Sequence, residues 1–133
     1  RLVISRQHPL AQQERVTFDD LRPYIEVAHA DPYVPSLPLS TVVKEELPDN
    51  ISRRIYVFER ASQFELLSRN PETFMWASPI PHNLLERYSL VQKSCAQNTR
   101  RYRDLLIYPS DYELTELDRR FIDILGQVKD KYL

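Results

Sequence analysis

A single glycine, Gly126, in a chain of 133 residues that carries ten prolines is the tightest constraint on what this sequence can fold into. Average usage would give about nine glycines. Glycine takes positive φ without strain, so tight hairpins, phosphate-cradling loops and strained catalytic turns depend on it. Its scarcity argues against nucleotide-binding α/β folds and against a sandwich of short hairpins. The prolines punctuate helices and stiffen the segments between them. The expected fold class is therefore mainly α: a small irregular helical domain with proline-rich connectors and a C-terminal antiparallel helical hairpin.

The hairpin rests on two stripes. Leu84, Tyr88, Val91, Cys95, Asn98, Tyr102 and Leu105 follow one another at spacings of four and three, the repeat of one helix face. Asn83 can cap that helix with Glu86 reaching back, Pro81 stands outside its start, and Pro109 bars its continuation. Asn98 on the apolar face needs a partner for its amide and could fix the helix register. In the last stretch, Leu114, Leu117, Phe121, Ile124, Leu125, Val128 and Tyr132 stripe one face behind two capping boxes, Ser110/Glu113 and Thr115/Asp118. The helix is read through Gly126 at a cost of about 1 kcal/mol. A short turn at Tyr108 to Asp111 would make the two helices antiparallel neighbours. Residues 83–107 carry five basic side chains against two acidic, and residues 108–133 four against six, so the pair is also charge-complementary.

Elsewhere the signals are shorter. Residues 1–16 read as a flexible arm or an edge strand, and residues 17–133 as one helical interaction domain. Thr17 and Asp20 form a capping box before Leu21, Tyr24, Ile25 and Ala28, with Pro23 limiting where that helix can begin. Asp31 to Leu39 holds Pro32, Pro35 and Pro38 and should be extended. Pro35-Ser36-Leu37-Pro38 is a PxxP that could dock on an SH3-like groove or stiffen a connector. Ser40 caps a short helix from Thr41 to Leu47. Ile51 to Arg69 has helical spacing at Ile51, Ile55, Phe58, Ser62 and Leu66, and it reads as one helix. The alternative is a short strand at Ile55 to Phe58 followed by a helix over Ser62 to Ser68. Phe74-Met75-Trp76, before Pro79 and Pro81, reads as an apolar loop that either plugs the core or anchors a partner.

Chemistry-bearing patterns are sparse. The net charge of −1 gives no bulk attraction to nucleic acid or acidic membrane. The lone Cys95 excludes an intramolecular disulfide and reads as a small buried hydrophobe. There is no signal peptide and no run of about 18 apolar residues. The opening Arg1 suggests a piece of a longer protein in a reducing, intracellular compartment. Asn50-Ile51-Ser52 fits the glycosylation sequon. His8, His29 and His82 share no metal-ligand spacing, and the acidic pairs Asp19-Asp20 and Glu45-Glu46 point to different helix faces. No enzyme activity, cofactor or metal is expected. The densest basic cluster, Arg100, Arg101 and Arg103 with Lys93 nearby, offers a nucleic-acid or acidic-partner face, although Tyr102 falls on the apolar stripe.

One resemblance lies in the last helix. Tyr112, Glu113, Leu114, Glu116, Asp118, Phe121 and Ile122 match the acidic-aromatic segment shared by enhancer-of-polycomb proteins and the PHD-finger scaffold subunits of MYST-type histone acetyltransferases. Arg119 and Arg120 depart from it, and no PHD-type cysteines follow. What the resemblance implies is a non-catalytic nuclear scaffold that binds an acetyltransferase subunit. The sequence thus points to a protein–protein interaction domain of a multiprotein, chromatin-associated complex, with Phe74, Met75, Trp76, Pro35 and Pro38 as partner-binding residues. The alternative is a nucleic-acid-binding helical module.

Overall fold

Leu2-Val3-Ile4 has no polar alternation, the pattern of a strand covered on both faces. It forms β1 (Leu2–Ser5), and all four of its residues are buried. The computed structural model describes residues 1–29, 53–99 and 105–132. They belong to two compact units, Arg1–Thr99 and Arg100–Leu133.

In the first unit β1 lies between β4 (Thr73–Trp76) and β5 (Leu90–Lys93), antiparallel to both. Val3 stands opposite Met75 on one side and Gln92 on the other. On the far side of β4 run β2 (Ile25–His29) and β3 (Arg54–Val57), with β2 parallel to both β4 and β3. The sheet order is β3-β2-β4-β1-β5. Alternation along β1 and β4 divides the core in two. Leu2, Ile4 and Phe74 pack on one face with Ala11, Val16 and Leu21, brought there by a 3-10 turn (Pro9–Gln12) and a short helix α1 (Phe18–Leu21). Val3, Met75, Val27 and Leu90 pack on the other face beneath Phe64 and Leu67 of α2 (Arg60–Arg69). Helix α3 (His82–Arg87) leads into β5. In the second unit the main element is α4 (Glu116–Tyr132).

The mainly helical expectation, and with it the description as a helical domain, is overturned by this five-stranded mixed sheet. Glycine scarcity does exclude tight hairpins, and this sheet contains none: no two strands adjacent in sequence pair antiparallel among the described residues. Strands that meet through helices and long connections need no glycine turn. Ser89 alone among the described non-glycine residues takes positive φ, at 52°.

That residue also ends the helix expected from Asn83 to Leu105. α3 stops at Arg87, the chain reverses at Ser89, and Leu90–Lys93 becomes a strand. Spacings of three and four had joined one helical turn to a strand, so the helical hairpin does not form. Residues 1–16 are not an arm or an edge: β1 sits inside the sheet. The 51–69 stretch divides into β3 and α2, as the strand-plus-helix alternative has it. Thr17 and Asp20 make the reciprocal capping box, yet α1 lasts four residues and β2 follows. Thr115, not Ser110, caps the last helix, which runs through Gly126. The expected helix at 41–47 lies outside the described residues.

Because Phe74 is fully buried in the cluster on one face of the sheet, Phe74→Ala should lower the unfolding free energy by about 3–5 kcal/mol. Phe121 is 56% exposed, and Phe121→Ala should cost less than about 1 kcal/mol. Urea denaturation of both variants checks this; equal losses would contradict the placement of the core.

Candidate interaction surfaces

Phe74 and Met75 are sealed within β4, and Trp76 is half-buried at its end. The Trp76 ring meets Phe18 edge-on at 6.1 Å and Phe74 at 6.3 Å. Its indole nitrogen is buried without an acceptor. The expected partner anchor is therefore core material, because a strand inside a sheet turns its side chains into both layers. Lys93 Nζ donates to the Gln13 carbonyl at 2.7 Å, which ties its head to the unit's own backbone. Pro35, Pro38, Arg100, Arg101 and Arg103 lie outside the described residues.

The surface that the sequence had assigned to a core is on α4. Leu117, Phe121, Ile124, Leu125 and Val128 recur at helical spacing and are each 47–75% exposed. The helix is nonetheless well made. Asp118 Oδ2 accepts from the Thr115 amide at 2.8 Å and from the Thr115 hydroxyl at 2.7 Å. The Asp118 amide donates to Thr115 Oγ1, closing the capping box. Tyr112 Oη donates to the same carboxylate at 2.8 Å. These bonds, Thr115 first and Tyr112 second, hold the Asp118 carboxyl below its ordinary value, and the bond to Asp118 raises the Tyr112 phenol. Glu116 and Asp118 in the first turn and Lys129 and Lys131 in the last oppose the ends of the helix dipole. Between the incoming segment and the helix lies a groove of roughly 210 Å³, lined by Leu106, Tyr108, Tyr112, Leu114, Phe121 and Ile122, with Asp118 as its single charge.

The buried polar groups of the first unit hold its architecture. Gln63, fully buried on α2, donates to the Val57 carbonyl at 2.9 Å and accepts from Arg60 at 2.8 Å. Glu26 and Arg54 pair at 2.5 Å across β2 and β3. His8, 3% exposed, accepts the Leu10 amide on Nδ1 at 3.0 Å and lies against the Tyr24 ring. Burial lowers its pKa from 6.5 to about 4. Among the described residues no three His, Cys, Asp or Glu side chains gather as a metal site would require. None of the helices they form is long and apolar enough to cross a membrane. No protein-family model matches the chain, and no curated protein is similar to it.

His8 carries a pH dependence. The unfolded chain binds the proton near pH 6.5 and the folded chain only near 4, so stability falls as pH drops through that window. Between pH 7 and 5 the contribution lost should be about 2 kcal/mol. Denaturation midpoints of the wild type and of His8→Asn, which keeps an acceptor for Leu10 but does not titrate, should converge on acidification. Parallel pH profiles would exclude the neutral, buried imidazole.

Proposed function

We propose that this chain is a non-catalytic protein-interaction unit in which α4 is the docking element and a protein partner supplies the apolar groove. The observation that carries the reading is the uncovered stripe of Leu117, Phe121, Ile124 and Val128 on a well-capped helix. Anchors at i, i+4, i+7 and i+11 are the pattern by which an amphipathic helix lays itself into a groove. A pre-formed helix loses less conformational entropy on docking, and a large aromatic such as Phe121 suits the centre of such a contact.

The resemblance to the enhancer-of-polycomb segment adds support of a second kind. Tyr112, Leu114, Asp118, Phe121 and Ile122, five of its matched positions, line one groove. A scaffold role in a nuclear, chromatin-associated assembly is the narrower form of the proposal and rests on that resemblance alone. No observation among the described residues favours the nucleic-acid reading.

A photo-crosslinking phenylalanine analogue at Phe121, expressed in the native cell, tests the proposal. The expected result is one discrete protein adduct, lost when Leu117 and Ile124 are changed to Asp. Gly126, on the opposite side with nothing within 4 Å of an added Cβ, is the control position and should give none. Equal labelling from both positions, or an adduct indifferent to the double substitution, would refute the docking role of α4.

A further inference from the structure

The apolar stripe of α4 has an ordered margin. With about 3.6 residues per turn, Arg120 falls beside Leu117 and Ile124 on one side of the stripe, and Lys129 falls beside Leu125 on the other. Both are exposed, and neither makes an ion pair or a side-chain hydrogen bond among the described residues. Lys131, on the same side as Arg120, is already engaged. The one acid beside the stripe, Asp118, belongs to the cap and accepts from Thr115 and Tyr112. The remaining acids of the helix, Glu116, Asp123 and Asp130, turn to the opposite face.

We infer that the surface receiving α4 is acidic at its rim: a protein groove whose apolar floor takes the stripe and whose two walls carry carboxylates that pair with Arg120 and Lys129. The inference rests on α4 being the docking element and names the chemistry of its partner.

The occupant follows from where the charges lie, because their sum is zero. Between Glu116 and Tyr132 the helix carries four acidic and four basic side chains. A helix is about 10–12 Å across, close to the screening length of roughly 8–10 Å in physiological salt. A nucleic-acid backbone or an anionic membrane therefore senses both faces and finds no net attraction. A groove wall meets the margin alone, at ion-pair distance, where Arg120 and Lys129 are the uncommitted charges. Carboxylates placed there gain charge-assisted hydrogen bonds, whereas basic walls would set like charges together. At about 1.5 Å of rise per residue, the two carboxylates stand about 13 Å apart along the groove, on opposite walls. Rim charges govern orientation and the rate of encounter, and the apolar stripe supplies the buried area.

The full chain with a photo-crosslinking phenylalanine analogue at Phe121, titrated into extract of the native cell, gives an adduct whose half-saturating concentration is the readout. Arg120→Glu with Lys129→Glu should raise that concentration at least about tenfold. Adding Asp123→Lys and Asp130→Lys restores the net charge and should not restore the affinity. In the wild-type adduct a carbodiimide should join Lys129 Nζ through an amide bond to an Asp or Glu of the captured protein, as mapped by mass spectrometry. Lys129→Arg should abolish that link. Circular dichroism confirms that the helix persists in each variant. An adduct indifferent to the charge reversal, or one in which Lys129 links to no carboxylate, overturns the inference and leaves the docking role of α4 standing. Recovery on restoring the net charge overturns it in favour of bulk attraction. Tight binding to phosphatidylserine vesicles in place of a protein adduct assigns the margin to a membrane surface and also overturns it. Absence of any Phe121 adduct overturns the inference and the docking role together.

Discussion

The insertion of β1 between β4 and β5 is the contact on which the first unit depends. It joins two segments that have no pairing with each other, and its three consecutive apolar residues serve both layers of the core at once. Leu2 and Ile4 set the face that the 3-10 turn and α1 cover, while Val3 sets the face under α2. A one-residue slip would exchange these faces and drive every β1 side chain into the wrong layer. The alignment of Ile4 with Phe74 and Val91 is therefore fixed by packing on both sides. The loop after β4 is then fastened by Gln92 of β5, whose side chain accepts the Ile80 amide and donates to the Ser78 carbonyl.

The parallel half of the sheet is specified differently, by buried polar groups. Glu26 and Arg54 stand opposite each other in the β2–β3 register and form an ion pair with side chains 3% and 15% exposed. Such a pair adds little net stability against an apolar replacement, but breaking it strands a charge, so misaligned registers are penalised. Burial opposes the charge of Arg54, but the Glu26 carboxylate and the Tyr56 hydroxyl together outweigh it, so its pKa is raised. Gln63 then ties α2 to the end of β3 through the Val57 carbonyl. The position of the outer strand follows from these two contacts more than from hydrophobic area.

Capping chemistry was legible only in part: Asn83 and Glu86 do not cap α3, which starts at His82 after Pro81 with no side-chain cap, whereas two Thr/Asp pairs do form. Thr17/Asp20 and Thr115/Asp118 each specify a helix start within four residues, and both are present. Helix length was not legible. After Thr17 the apolar spacing continues through Ile25, but Ile25–His29 pairs with two strands distant in sequence. After Asn83 the same spacing runs on into Val91, which pairs with Ile4. A period of three and four across a turn-and-strand junction imitates a helix when the partner strands lie far away in sequence. Phe74-Met75-Trp76 was misread for the same reason: three residues bounded by prolines look like a loop until β1 and β2 pair with their strand. The stripe of α4 was read correctly as a stripe, and its burial was not, since periodicity fixes a face and says nothing of what covers it.

The exposed apolar surface is confined in a way that separates it from ordinary surface hydrophobicity. Single exposed aliphatic residues scattered over a protein need no explanation. Here every large exposed hydrophobic among the described residues lies either on β3 and its outgoing turn or in the second unit. Most other large apolar side chains among the described residues of the first unit are buried in the two clusters or packed partly against them. The contrast extends to the other sheet edge: β5 carries Gln92 and Lys93, both engaged by hydrogen bonds to the unit's own backbone. Among the described residues, one edge strand thus carries polar side chains tied to the unit's own backbone and the other carries exposed Ile55 and Tyr56.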